Sequence, residues 1–169
     1  KSFYAFLMTL KKEGEHGRAF AYKTVNTDVL GWLIRRVTGQ SVGEVLATRV
    51  WQKLGVERDG YLAIDTEGSE FAGGGFNLTT RDLARFGEMM RLDGRYNGQQ
   101  IVPKAVVDGI RAGGDKALFA KAGFALLPGW SYRDQWWVTN NAHGAYMARG
   151  VHGQAIYVDA GSTAMALAR

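Results

Sequence analysis

The sequence predicts an α+β fold, and three observations carry that expectation. Apolar residues recur at helical spacing through the first two thirds of the chain, broken by glycine-bearing turns. After about Gly129 the pattern changes to short aromatic and β-branched segments separated by turns. The apolar share of 46% and charged share of 22% belong to a chain that buries a core. Helices followed by a run of strands give a sheet partly covered by helices. The length, 169 residues, is that of one ordinary domain. Residues 1–100 are expected to form a mostly helical part, and 101–169 a helix with antiparallel strands, within one incomplete domain.

The elements follow in order. Phe3, Phe6, Leu7 and Leu10 predict a helix over Lys1–Lys12 that ends in "EGEHG". A second helix is expected from about Asn26–Asp28 to Thr38, with Val29, Leu33 and Val37 on one stripe and Gly39 as its stop. Ser41 and Glu44 form a capping box that opens a third, followed by Val45, Leu46 and Val50. "TTRD" starts a fourth, capped by Thr79 or Thr80, with Leu83, Phe86 and Met90 buried as far as Gly94. Pro103 leads a fifth, Lys104 to Arg111, at a position where its missing N–H does no harm. "QWWVTN", "AYMARG", "QAIYVDA" and "STAMALAR" then read as an antiparallel meander. Trp136 and Trp137 face opposite ways on their strand, one towards the core and one free to line a pocket. The first residue, Lys1, falls inside a helical pattern and the last segment reads as a strand, so a longer parent chain is expected.

Composition excludes several function classes. Without cysteine there is neither a disulfide nor a thiolate metal site. His16, His143 and His152 stand far apart, so no metal and no cofactor is expected. No apolar run reaches the roughly 18–20 residues that span a membrane. The net charge of +5 is spread thinly, which argues against a nucleic-acid partner. "GGGFN" is not followed by Gly-Lys-Ser/Thr, so it is no phosphate loop. Neither G-x-S-x-G nor S-x-x-K occurs, so these residues contain no recognisable nucleophile.

Polar chemistry without an attacker remains. Tyr22 and Thr24 form Y-x-T before a helix N-terminus, an end that favours negative charge. Tyr22 can pack at the helix entrance, or cationic neighbours can turn its hydroxyl into a proton relay. Thr24 can hydrogen-bond a substrate or simply cap. Gly150 and Gly153 bracket Val151, whose N–H on an edge strand could meet a developing oxyanion. A bulge that needs glycine explains the same residues equally well.

Taken together, "YKTVNTDVLGWLIRRVTGQSVGEVL", "VWQKLGVE", "FAGGGFNLTTRDLARFGEMMRLDG" and "ARGVHGQAIYVDA" resemble one family in one order. They are similar to the serine β-lactamase and penicillin-binding-protein-like hydrolases, in the class C-like esterase branch. Within it, the aminohexanoate-dimer hydrolases that degrade nylon oligomers are most alike. The resemblance runs nearly end to end and implies a partial β-lactamase-like fold, lacking its N-terminal strands, nucleophile helix and C-terminal helix. It implies that Tyr22 relays protons with a lysine, that Thr24 orients tyrosine and substrate, and that Val151 supplies a backbone oxyanion donor. Trp137, Arg149, Gly150 and His152 are then expected at the substrate. Ala148 and Arg149 stand where the family has the lysine and threonine of K-T-G, which favours an amidase or esterase over a β-lactamase. The family's S-x-x-K serine and lysine would lie upstream. Partners are therefore a small amide or ester and the missing N-terminal part of the same protein, and the segment alone is expected to be inactive. A non-catalytic relative binding a peptide or small amide in the same cleft is the alternative. No compartment follows from these residues.

Overall fold

The computed structural model describes residues 2–162 and the backbone of Met165–Ala168. Expectations that touch Lys1, Thr163, Ala164 and Arg169 lie outside the described residues. The chain divides into two compact units: the residues up to Gly14 with Tyr22–Thr79, and Glu15–Ala21 with Thr80 onward. Apart from Glu15–Ala21, the division falls at Thr79–Thr80.

In the first unit, α1 (Phe3–Leu7) opens on Ser2, whose hydroxyl accepts from the Ala5 N–H. It is shorter than expected because Phe6, Met8 and Leu10 stay exposed, so no packing extends it. Its tie to the rest is aromatic and polar. The Phe3 and Phe71 rings lie 5.5 Å apart, those of Tyr4 and Trp32 5.7 Å apart, and the Phe3 N–H donates to Asp65 at 2.7 Å. Helix α2 (Thr24–Thr38) ends on Gly39 in the left-handed region, as read from the sequence. Its expected buried stripe is largely uncovered: Leu33 is 49% and Val37 84% exposed, and Gly31 is the residue of α2 that is buried.

Helix α3 (Val42–Arg49) carries the predicted capping box, with Glu44 N–H on Ser41 Oγ and Ser41 N–H on Glu44 Oε2. A second acid helps. Glu70 accepts from the Val42 and Gly43 N–H groups at 2.8 and 2.7 Å. A single 3₁₀ turn, Trp51–Leu54, buries both of its end residues. Strands β1 (Tyr61–Leu62) and β2 (Phe76–Asn77) pair antiparallel. At two residues each, they are too short to show any periodicity.

In the second unit, α4 (Thr80–Arg91) buries Asp82, Gly87, Met89 and Met90, while Leu83 and Phe86 of the predicted stripe are half-buried. Asp82 is held by Arg85 at 2.7 Å, one turn on. A small hairpin follows, β3 (Arg95–Tyr96) with β4 (Gln99–Gln100), around Asn97 and Gly98 at positive φ. Helix α5 (Lys104–Ala112) starts after Pro103 as expected, and α6 (Lys116–Ala120) is capped by Asp115 accepting from Leu118 N–H. The sheet is a five-stranded antiparallel meander: β5 (Ser131–Arg133), β6 (Trp136–Val138), β7 (Tyr146–Arg149), β8 (Ala155–Val158) and β9 (Met165–Ala168). Four of these strands were read from the sequence. The fifth, β5, joins β6 through Asp134 and Gln135, both at positive φ, a turn built without the glycine that usually marks it.

Trp136 and Trp137 do point to opposite faces, but both are buried, at 9% and 7% exposure. On one face Trp136 meets the edge of Tyr146 at 5.0 Å and stacks near Phe86 of α4. The Tyr146 hydroxyl donates to the Met90 carbonyl at 3.0 Å. Burial pushes this phenol up to about 12, against the opposing pull of Arg111.

Acid should loosen the first unit in a defined direction. Burial alone would raise the Asp65 carboxyl, but N–H groups of Phe3, Ser69 and Glu67 together hold it below its ordinary value. A lowered carboxyl contributes stability above its unfolded value and loses it as pH falls through the folded one. Asp65→Asn is expected to melt lower at pH 7 and to show a shallower loss of melting temperature between about pH 5 and 2. Thermal unfolding of both proteins across that range checks it.

Candidate functional site

Tyr22 and Thr24 belong to the first unit. Helix α2 begins at Thr24, earlier than the sequence suggested, with extended Lys23 at the cap position and no side-chain cap bond. Thr24 therefore does not cap. Asn26 N–H bonds the Lys23 carbonyl at 3.0 Å, whereas the N–H groups of Thr24 and Val25 have no acceptor among the described residues. The Lys23 ammonium lies 2.6 Å from Glu13 and, by hydrogen bond and charge, holds that carboxyl below its ordinary value. Tyr22 is 46% exposed.

The "FAGGGFN" turn meets this helix start directly. A Cβ on Gly73 would lie 2.4 Å from Thr24 Cγ2 and 3.1 Å from its carbonyl oxygen. Gly73 N–H also donates to Asp28 Oδ1 at 2.8 Å, fixing the turn against the first turns of α2. Glycine is needed at 73 for that approach.

The remaining candidates belong to the second unit. Trp137 sits in an aromatic cluster with Phe20, Phe119, Phe124 and Tyr132, its ring 5.0 Å from that of Phe124. The Arg149 guanidinium lies over the Trp137 ring at 5.1 Å. No ion pair engages Arg149 among the described residues. Gly150, Val151 and His152 occupy the turn that joins β7 to β8, beyond the last ladder pair, Arg149 with Ala155. β7 is a central strand of the sheet, so the expectation of an edge-strand N–H is corrected to a turn N–H at the end of an inner strand. Gly150 N–H donates to the Gln154 carbonyl at 2.7 Å, His152 N–H to Gln154 Oε1 at 3.1 Å and Gly153 N–H to the Gly150 carbonyl at 3.3 Å. Val151 N–H has no acceptor among the described residues, and the residue is 90% exposed. Among the described residues no cluster of three His, Asp or Glu could hold a metal ion.

Phe20, Asp28 and Gln154 were missed by sequence reasoning. Each acts through a partner distant in sequence or through turn geometry, and only Phe20 had a visible cue, an aromatic two residues before Tyr22.

The chain matches the Beta-lactamase family over residues 1–168. It belongs to that family. The fold is accordingly β-lactamase-like, with helices and antiparallel strands. The 6-aminohexanoate-dimer hydrolase of Paenarthrobacter ureafaciens is 41% identical over 157 residues, which is 92% of this chain and 40% of that protein. A solved structure provisionally named a 6-aminohexanoate-dimer hydrolase, from Bacillus anthracis, superposes with a TM-score of 0.87 at 33% identity, over 98% of this chain and 41% of that one. A second, provisionally named a beta-lactamase, from Bacteroides dorei, gives 0.69 at 20% identity over 94% of this chain and 51% of that one, and speaks to the fold alone. This family member spans about two fifths of the length of its 6-aminohexanoate-dimer hydrolase relatives.

Gly73→Ala is expected to push Thr24 aside and to destabilise the first unit by about 1–3 kcal/mol. Urea unfolding followed by far-ultraviolet circular dichroism measures this; an unchanged midpoint would show that the turn yields without cost.

Proposed function

We propose that this chain is part of a serine hydrolase that cleaves a linear amide or carboxyl ester through an acyl-enzyme. One observation carries the reading: the Val151 N–H, at the end of an inner strand, has no acceptor among the described residues, while the N–H groups of Gly150, His152 and Gly153 around it are engaged. An N–H held in this way is what a developing oxyanion requires, and a well-aimed donor is worth about 3–4 kcal/mol. The 41% identity to a 6-aminohexanoate-dimer hydrolase supports an amide substrate.

In this reading a serine and a lysine, three residues on, are supplied by sequence before Lys1. The serine oxygen attacks the carbonyl carbon, and its proton passes through the lysine and Tyr22 to the departing nitrogen or oxygen. The carbonyl oxygen, now negative, accepts from Val151 N–H. The C–N or C–O bond breaks, and water then attacks the acyl-serine and frees the acid. The N–H groups of Thr24 and Val25, without an acceptor among the described residues, favour negative charge at the start of α2, which suits a tyrosine that passes protons there. Thr24, Trp137, Arg149, Gly150 and His152 would border the substrate. Ala148, standing where the family's strand lysine would, favours a linear amide or ester over a β-lactam.

The test uses the product of the whole reading frame with a linear 6-aminohexanoate dimer and a p-nitrophenyl ester. Tyr22→Phe is expected to lower kcat by about 10²–10⁴-fold while leaving the thermal melt unchanged. A fully active Tyr22→Phe protein would remove the relay role. No turnover together with no labelling by a serine-directed phosphonate would favour the non-catalytic binding protein instead.

A further inference from the structure

We infer that Gln154 is a positioning residue that aims the Val151 N–H, a role that rests on the hydrolase reading above. Five residues, Gly150 to Gln154, separate the last paired residues of β7 and β8. A connection of that length can place any one amide in several directions, and misplacing a catalytic group by about 1 Å can cost roughly 10²-fold in rate.

Gln154 removes that freedom from both sides of Val151. Its carbonyl accepts from Gly150 N–H at 2.7 Å, and its side-chain Oε1 accepts from His152 N–H at 3.1 Å. The residues before and after Val151 are thus fastened to the same residue. Only the second tie depends on the side chain. Gly150 fits the same arrangement, because a Cβ there would lie 2.5 Å from Gln154 Oε1 and 3.1 Å from Gln154 Cβ. Glycine at 150 leaves room for the glutamine side chain to fold back over the turn. Gly153, at φ 88, supplies the reversal that brings Gln154 beneath it.

Gln154→Met keeps the length and removes the acceptor. In the whole reading-frame product, the variant is expected to lose about tenfold to a hundredfold in kcat, with KM changed less than about twofold. A boronic acid, whose tetrahedral serine adduct places an oxygen at the oxyanion position, should lose affinity by the same factor as kcat. Hydrogen exchange at the His152 amide should quicken. Gly150→Ala tests the brace from the other side by evicting Oε1, and the double variant should lose no more than the worse single one. Wild-type kcat in Gln154→Met, equal loss of boronate and substrate binding, or additive losses in the double variant would each overturn the inference while leaving the hydrolase reading intact. A wild type with neither turnover nor boronate binding would remove both together.

Discussion

Register at β6 is the constraint on which the sheet unit depends. Two adjacent tryptophans project to opposite faces because side chains alternate along a strand. Trp136 closes the core against Tyr146 and α4, while Trp137 closes the aromatic cluster that holds Phe20. A slip of one residue would exchange the two faces and unmake both clusters at once. β6 in turn aligns β7 through Trp137 with Met147 and Val138 with Tyr146, so the end of β7, and with it the Gly150–Gln154 turn, inherits its position from those rings.

The first unit is organised on another principle. Its helices bury little: Gly31 is the buried residue of α2, and α1 and α3 have none. Long-range carboxylate caps supply the order instead. Asp65 takes the Phe3 amide across 62 residues, Glu70 takes two amides at the start of α3, and Asp28 takes that of Gly73 across 45. Each satisfies backbone donors that would otherwise be lost at a helix start or a glycine turn. At Asp65 these amide bonds both fix the loop and bind its stability to pH.

How much of this was legible follows from which signals are local. The capping box at Ser41, the stop at Gly39 and the helix after Pro103 are written in neighbouring residues, and each stands where it was read. The meander was legible because strands of three or four residues with aromatic or branched side chains alternate with glycine turns. β5 was not, since Asp134 and Gln135 adopt left-handed backbone without advertising it, and β3–β4 was passed over although Asn97–Gly98 is a recognised hairpin dipeptide. The extra length given to the first helix came from counting apolar residues that turn out to face outward. At the site, motif order drew attention to Tyr22, Thr24 and Val151. The residues that hold two of them, Gly73 for Thr24 and Gln154 for Val151, become visible only when distant backbone and side chain are brought to contact distance.

The raised phenol of Tyr146 sets an alkaline edge to the sheet unit. Its proton is bound more tightly in the folded chain than in the unfolded one, so the associated stability is complete below the ordinary tyrosine value near 10 and drains away as pH climbs towards about 12. Loss of that proton would remove the donor that ties the sheet to the Met90 carbonyl at the end of α4, so the phenol's ionisation and the loss of this one tie are a single event.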